Sequence, residues 1–150
     1  MLVVVGGSRR KVGKTSVVES LIRENEEAGW VAIKISPHRH PATRAGHADT
    51  DRYLAAGARE AHLIAAADIE AALPQVRSIV ARSRNVIIES NRVLDYLEPD
   101  LCIFVVERSP QEAKPWLLRH LRRAHLVILR NPACQPGPQP HSSETRYCFS

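Results

Sequence analysis

Apolar, β-branched stretches of strand length recur at residues 2–5, 30–35, 86–88, 101–106 and 126–129, and helical patterns fill most of the intervals between them. Strands alternating with helices predict an α/β fold with a mostly parallel sheet. The stretches show little polar alternation, which is the pattern of strands covered on both faces, so helices are expected on either side of the sheet in three layers. The first helical pattern puts Val17, Val18, Leu21 and Ile22 on one face and Glu19 four residues ahead of Arg23, with Gly29 closing the helix before the next strand. A second, over residues 69–82, aligns Ile69, Leu73, Val76 and Val80, with Asp68 as N-cap and Pro74 in its second turn. A third, over residues 110–123, turns Trp116, Leu117 and Leu121 inward and Lys114, Arg119, Arg122 and Arg123 outward.

Two stretches have no apolar period. Residues 36–48 hold two prolines, two arginines and the histidines His38, His40 and His47, and read as a long loop of the kind that carries function. Residues 132–150 hold four of the ten prolines within nine positions and read as a disordered tail behind a single domain spanning 1–131.

Composition adds little to this picture except at two points. The three cysteines, Cys102, Cys134 and Cys148, are odd in number and widely spaced, which fits a reduced, cytoplasmic protein. The longest strictly apolar run, 101–106, is far too short to span a bilayer, so no membrane association is expected. A formal charge of +5 points to an anionic partner, and its distribution decides which. Arg9, Arg10, Lys11 and Lys14 cluster near the N-terminus with no acid before Glu19. The basic positions of the third helix lack interleaved aromatics, which argues against nucleic acid.

The N-terminal cluster lies in the most informative motif. Leu2 to Val5 reads as a strand, the amphipathic helix follows, and between them Ser8 to Thr15 matches the phosphate-binding pattern G-x-x-x-x-G-K-[ST] with Ser8 in place of the first glycine. Such a loop turns backbone N–H groups toward a polyphosphate and ends at a helix N-terminus, so Ser8, Arg9, Arg10, Lys11, Val12, Gly13, Lys14, Thr15 and Ser16 are the expected nucleotide contacts. Gly6 and Gly7, just ahead, are expected to supply the unusual backbone angles that Ser8 cannot. Lys14 is assigned to the β- and γ-phosphates and the Thr15 hydroxyl to Mg²⁺. A carboxylate at the end of a neighbouring strand must complete the magnesium shell, and Glu89, directly after the run Val86-Ile87-Ile88, is the candidate; Asp49 and Asp51 are further acids in reach of it. Asn131, at the end of the last strand, is a candidate reader of the base. Catalysis would fall to Lys14 and Glu89, with GTP or ATP as the nucleotide.

These residues together resemble the small P-loop GTP-binding proteins of the molybdopterin-guanine dinucleotide biosynthesis protein B type, in the SIMIBI class. The resemblance rests on Gly7 to Ser16, on Lys34-Ile-Ser-Pro-His38-Arg-His40 after the second strand, on Asp49-Thr-Asp-Arg52 leading to Ala56-Gly-Ala58, and on Val86-Ile-Ile-Glu89. It implies a P-loop NTPase fold, slow NTP hydrolysis in cofactor biosynthesis, a cofactor-biosynthesis protein as partner, and a homodimer as one assembly. It also implicates Lys34, His38, His40, Asp49, Asp51, Arg52 and Glu89 near nucleotide and Mg²⁺. Two other readings stay open on the same residues. One is a small-molecule kinase with Lys34, His38, Arg39 and Arg52 holding the acceptor; the other is a nucleotide-dependent metallochaperone using His38, His40 and His47, since imidazole suits transition metals.

Overall fold

The computed structural model describes residues 1–36, 49–107 and 115–131. Their elements run in the order β1 (Leu2–Gly7), α1 (Lys14–Glu24), β2 (Val31–Ser36), α2 (Asp49–Ala55), β3 (Glu60–Ala65), α3 (Ile69–Arg82), β4 (Val86–Glu89), β5 (Leu101–Glu107), α4 (Pro115–Leu121) and β6 (Leu126–Arg130), with short 3₁₀ turns at Glu26–Ala28 and Arg92–Asp95. The strands form one sheet in the order β3-β2-β4-β1-β5-β6, and every pairing among them is parallel.

Burial follows position in the sheet. β1, β4 and the first five residues of β5 are almost wholly buried, whereas edge strand β6 exposes most of its residues and edge strand β3 is mostly half-buried. Side chains on one face of the strands (Val4, Ile33, Ile88, Cys102, Phe104) pack with α3 and the Arg92–Asp95 turn. Those on the other face (Val3, Val5, Ala32, Ile87, Ile103) pack with α1 and α2. Parallel crossovers are right-handed, so the direction in which the chain moves across the sheet decides which face its helix covers. The steps β1 to β2 to β3 move one way and place α1 and α2 on one face. The steps from β3 back to β4, and on to β5 and β6, move the other way and place α3 and α4 on the opposite face. β1 and β4, adjacent at the reversal, open a crevice at their C-terminal ends, the usual place for a ligand in such sheets.

Several expectations are corrected in detail. β3 at Glu60–Ala65 is a strand that the apolar pattern does not reveal. α1 ends at Glu24, capped by Asn25, and Gly29, at φ 62°, closes the following 3₁₀ turn instead of the helix. α3 has the expected bounds, and Asp68 caps it by accepting a hydrogen bond from the Glu70 N–H. Pro74 lies inside α3 on its exposed side, where it forgoes one backbone hydrogen bond without ending the helix. In α4 the buried residue is His120, stacked on Phe104 at 5.9 Å between ring centroids, while Trp116 stays exposed at the helix surface. Lys114, His38, Arg39, His40, His47 and the whole of 132–150 lie outside the described residues. Among those that are described, no helix is long and apolar enough to cross a membrane.

Candidate phosphate-binding site

The segment from Ser8 to Gly13 bridges β1 and α1 at the crevice. Gly6 and Gly7 belong to β1 and have no positive φ, so they do not supply the loop's unusual angles; Lys11 (φ 58°) and Gly13 (φ 105°) do. Positive φ at Lys11 and Gly13, alternating with negative values at their neighbours, is the geometry that turns successive N–H groups into one concavity. Gly6 and Gly7 are needed for space. A Cβ on Gly6 would stand 2.7 Å from the Phe104 ring, and one on Gly7 would stand 2.6 Å from Val12 Cγ1. Val12 is 1% exposed and anchors the loop in the core on the α1 side of the sheet. Ser8, in place of the pattern's glycine, extends the sheet: its N–H donates to the Val105 carbonyl at 2.9 Å and its hydroxyl accepts from the Glu107 N–H at 3.3 Å.

Arg9 is ion-paired with Glu107 at the end of β5, and Arg10 and Lys11 are exposed at the loop tip. Lys14 folds back so that its ammonium donates to the Arg9 carbonyl at 3.1 Å. Burial lowers the proton affinity of Lys14, with the Glu89 carboxylate opposing the shift. α1 begins at Lys14 with no side-chain cap and no acid in its first turn. The positive end of its dipole and its unpaired N–H groups therefore face the loop. Ser16 is exposed beside them.

Glu89 is the hub of the other half of the site. The register sets it between Val5 of β1 and Lys34 of β2 on the sheet's last row. Its side chain, 5% exposed, accepts hydrogen bonds from the Thr15 hydroxyl at 2.8 Å and the Lys34 ammonium at 2.8 Å, and a further short one from the Tyr53 hydroxyl. Tyr53 is fully buried; burial and the adjacent Glu89 charge push its phenol far above the ordinary range, so it remains a donor. Lys34 also pairs with Asp49 at 2.7 Å, and Arg52 grips Glu19 of α1 through two hydrogen bonds of 2.6 and 2.8 Å. Thr15, Lys34, Asp49 and Glu89 thus meet at one place, with Arg52 holding α2 against α1. Asp51 is exposed on α2, and Asn131 is exposed directly after β6.

Three residues at the site are absent from the motif. Tyr53 is one. Asn91 is the second: its Oδ1 accepts from the Gly7 N–H at 2.7 Å and its Nδ2 donates to the Gly7 carbonyl at 2.6 Å, tying the exit of β4 to the start of the loop. Arg130 is the third, its guanidinium 3.5 Å from the Lys11 carbonyl and 2.9 Å from where a Gly13 Cβ would stand. It borders a groove of ≈ 240 Å³ whose walls include Gly13, Ser16, Val17, Val105 and Ile128.

No protein-family model and no curated protein sequence matches the chain. Among solved structures, the chain is similar to LpxK from Aquifex aeolicus, in a crystal structure described as an "apo" form in complex with ATP. The two share 18% sequence identity and a TM-score of 0.58 over 93% of this chain and 51% of that one. The chain has a P-loop NTPase-like α/β fold. It spans about half the length of LpxK.

Proposed function

We propose that the chain binds a nucleoside triphosphate with Mg²⁺ and hydrolyses it slowly. The observation that carries the reading is the convergence of an uncapped helix N-terminus, Lys14, Thr15 and Glu89 at the sheet's reversal point. The loop's N–H groups and Lys14 would hold the β- and γ-phosphates. The groove beside Arg130 offers room for ribose and base, and Asn131, next in the chain to Arg130, is the candidate reader of that base. ATP, present in the LpxK structure, is the first nucleotide to test, with GTP as the comparison suggested by the sequence resemblance.

The donor set fits magnesium. Thr15, Asp49 and Glu89 offer hard oxygen ligands, and because the Thr15 proton is directed to Glu89, the hydroxyl's lone pairs remain available. When bound, the ion would neutralise charge on the phosphate oxygens. The chain's own work is positioning: Lys14 would draw charge from the γ-phosphoryl group as water attacks phosphorus and gives up its proton to bulk water and the bridging bond to the diphosphate breaks, while the Tyr53 hydrogen bond keeps Glu89 aimed. Such a site is slow without a partner, and the sequence resemblance suggests that this partner belongs to cofactor biosynthesis.

A kinase reading uses the same geometry with an acceptor hydroxyl replacing water. Lys34 and Arg52 at the crevice edge favour it, being cations placed where an anionic acceptor would lie. The test is Mg²⁺-dependent binding of ATP and GTP to wild type and Lys14→Ala. A loss of at least about tenfold is expected for the variant, since charge-assisted contacts to phosphate are worth about 1.5–3 kcal/mol each; equal affinity overturns the site. Release of inorganic phosphate distinguishes hydrolysis from transfer.

A further inference from the structure

Lys34 is placed unlike the other cations among the described residues. It lies within a strand, its side chain is 18% exposed, and its ammonium sits 2.8 Å from Glu89 and 2.7 Å from Asp49. Lysines are seldom so enclosed unless paired, and here one ammonium neutralises two carboxylates that would otherwise repel each other across the crevice. It is also near enough to Lys14 to depress that residue's proton affinity. No grouping of three or more His, Cys, Asp or Glu able to hold a metal exists among the described residues, so the protein's own ligands are too few for a tight cation site.

We infer that Lys34 is a built-in counter-ion that bars divalent metal from the crevice until nucleotide brings it, and that it then turns from the two carboxylates to the phosphates. The inference rests on the proposed nucleotide site. Without a ligand, Glu89 and Asp49 already have their positive charge, and a metal ion entering alone would have to displace the ammonium or sit against it. A triphosphate changes this balance in two ways. It supplies the oxygen ligands that the protein lacks, and it gives the ammonium a second set of anions to pair with. Metal therefore enters as part of the nucleotide complex, and the resting protein keeps its carboxylates neutralised and its loop closed to adventitious cations.

The probe is Mn²⁺ alone, followed through the spectroscopic signal of the free ion, with no nucleotide present. Wild type is expected to bind it weakly. Lys34→Met, which keeps the stem and removes the charge, is expected to gain a single site at least about tenfold tighter, the size of effect a unit charge exerts at contact in a partly shielded crevice. Lys34→Arg is expected to behave as wild type, and adding Asp49→Asn to Lys34→Met is expected to abolish the gain. Equal Mn²⁺ binding by wild type and Lys34→Met overturns the inference. If Lys34→Met unfolds in chelator, its melting temperature is expected to be restored by Mn²⁺, and failure of Mn²⁺ to restore it overturns the inference equally. The two readings separate cleanly. Loss of nucleotide binding in Lys14→Ala without a metal gain in Lys34→Met removes only the counter-ion, whereas the opposite pair of results removes the nucleotide site and keeps the counter-ion.

Discussion

The Asn91 amide is the most economical place to test whether the loop is held from outside itself. Its two hydrogen bonds, of 2.7 and 2.6 Å, reach both polar atoms of the Gly7 backbone, which is buried. Asn91→Ala deletes the donor and the acceptor together. Each hydrogen bond contributes about 0.5–1.5 kcal/mol net, and leaving a buried partner unmade raises the cost toward about 1–3 kcal/mol. Because Asn91 is itself half-buried and water can re-enter on one side, the sum expected is about 2–4 kcal/mol rather than the upper limit. Urea unfolding measures it directly: the midpoint should fall by about 1–2 M with the slope unchanged, for a slope of about 2 kcal/mol/M. Asn91→Asp, which can accept from the Gly7 N–H but sets a carboxylate against the Gly7 carbonyl, should lose at least as much. A midpoint within about 0.25 M of wild type for Asn91→Ala would mean that the Gly7 backbone finds other partners and that the loop's start is held by β1 alone.

Two further outcomes follow from buried polar groups. Tyr53→Phe keeps the ring in its fully buried place but removes one of three donors to Glu89, and should cost about 1–3 kcal/mol by the same urea assay; no measurable change would refute the Tyr53 to Glu89 bond. Burial holds the pKa of His120 below its ordinary value, and its Nδ1 has no hydrogen-bond partner among the described residues. The folded protein therefore keeps it neutral while the unfolded chain takes up a proton, so stability is full above the ordinary histidine value of about 6.5 and is lost as pH falls from there toward the depressed folded value. His120→Phe, which preserves stacking on Phe104, should flatten that acid limb, and parallel stability curves for the two proteins between about pH 7.5 and pH 5 would refute it.

How far the molecule can be read from its sequence depends on whether a feature is local. The strand, loop and helix at Leu2 to Glu24 are legible because apolar pattern and Gly13-Lys14-Thr15 agree within a short span, and α3 because Asp68 marks its start and four apolar positions its face. A mostly parallel, three-layer arrangement follows from the alternation of elements, and the structure adds that every pairing among the described strands is parallel. β3 was not legible: Glu60-Ala-His-Leu-Ile-Ala65 mixes types because an edge strand pairs on one side only, and Leu63 is 43% exposed while Ile64 is buried. Glu89 could be picked out because a lone acid ends an apolar strand. Its neighbours could not all be found this way. Asn91 serves a residue 84 positions earlier, and Tyr53 sits in a helix whose local pattern says nothing of a carboxylate 36 positions later. The inward place of His120 and the outward place of Trp116 likewise depend on Phe104 across the layer, not on the period of α4.

The open start of α1 has a consequence for how the protein behaves in the cell and in the tube. A serine, threonine, asparagine or aspartate at the N-cap is worth only a few tenths of a kcal/mol more than glycine, and here that position is Gly13 in a left-handed conformation with no side chain to offer. The helix start therefore lacks a side-chain acceptor of its own, and an anion that settles on those N–H groups would serve as the cap. Occupancy and melting temperature are then two readings of one equilibrium. Substitutions that make the protein sturdier at this end would do so by filling the place the proposed nucleotide needs.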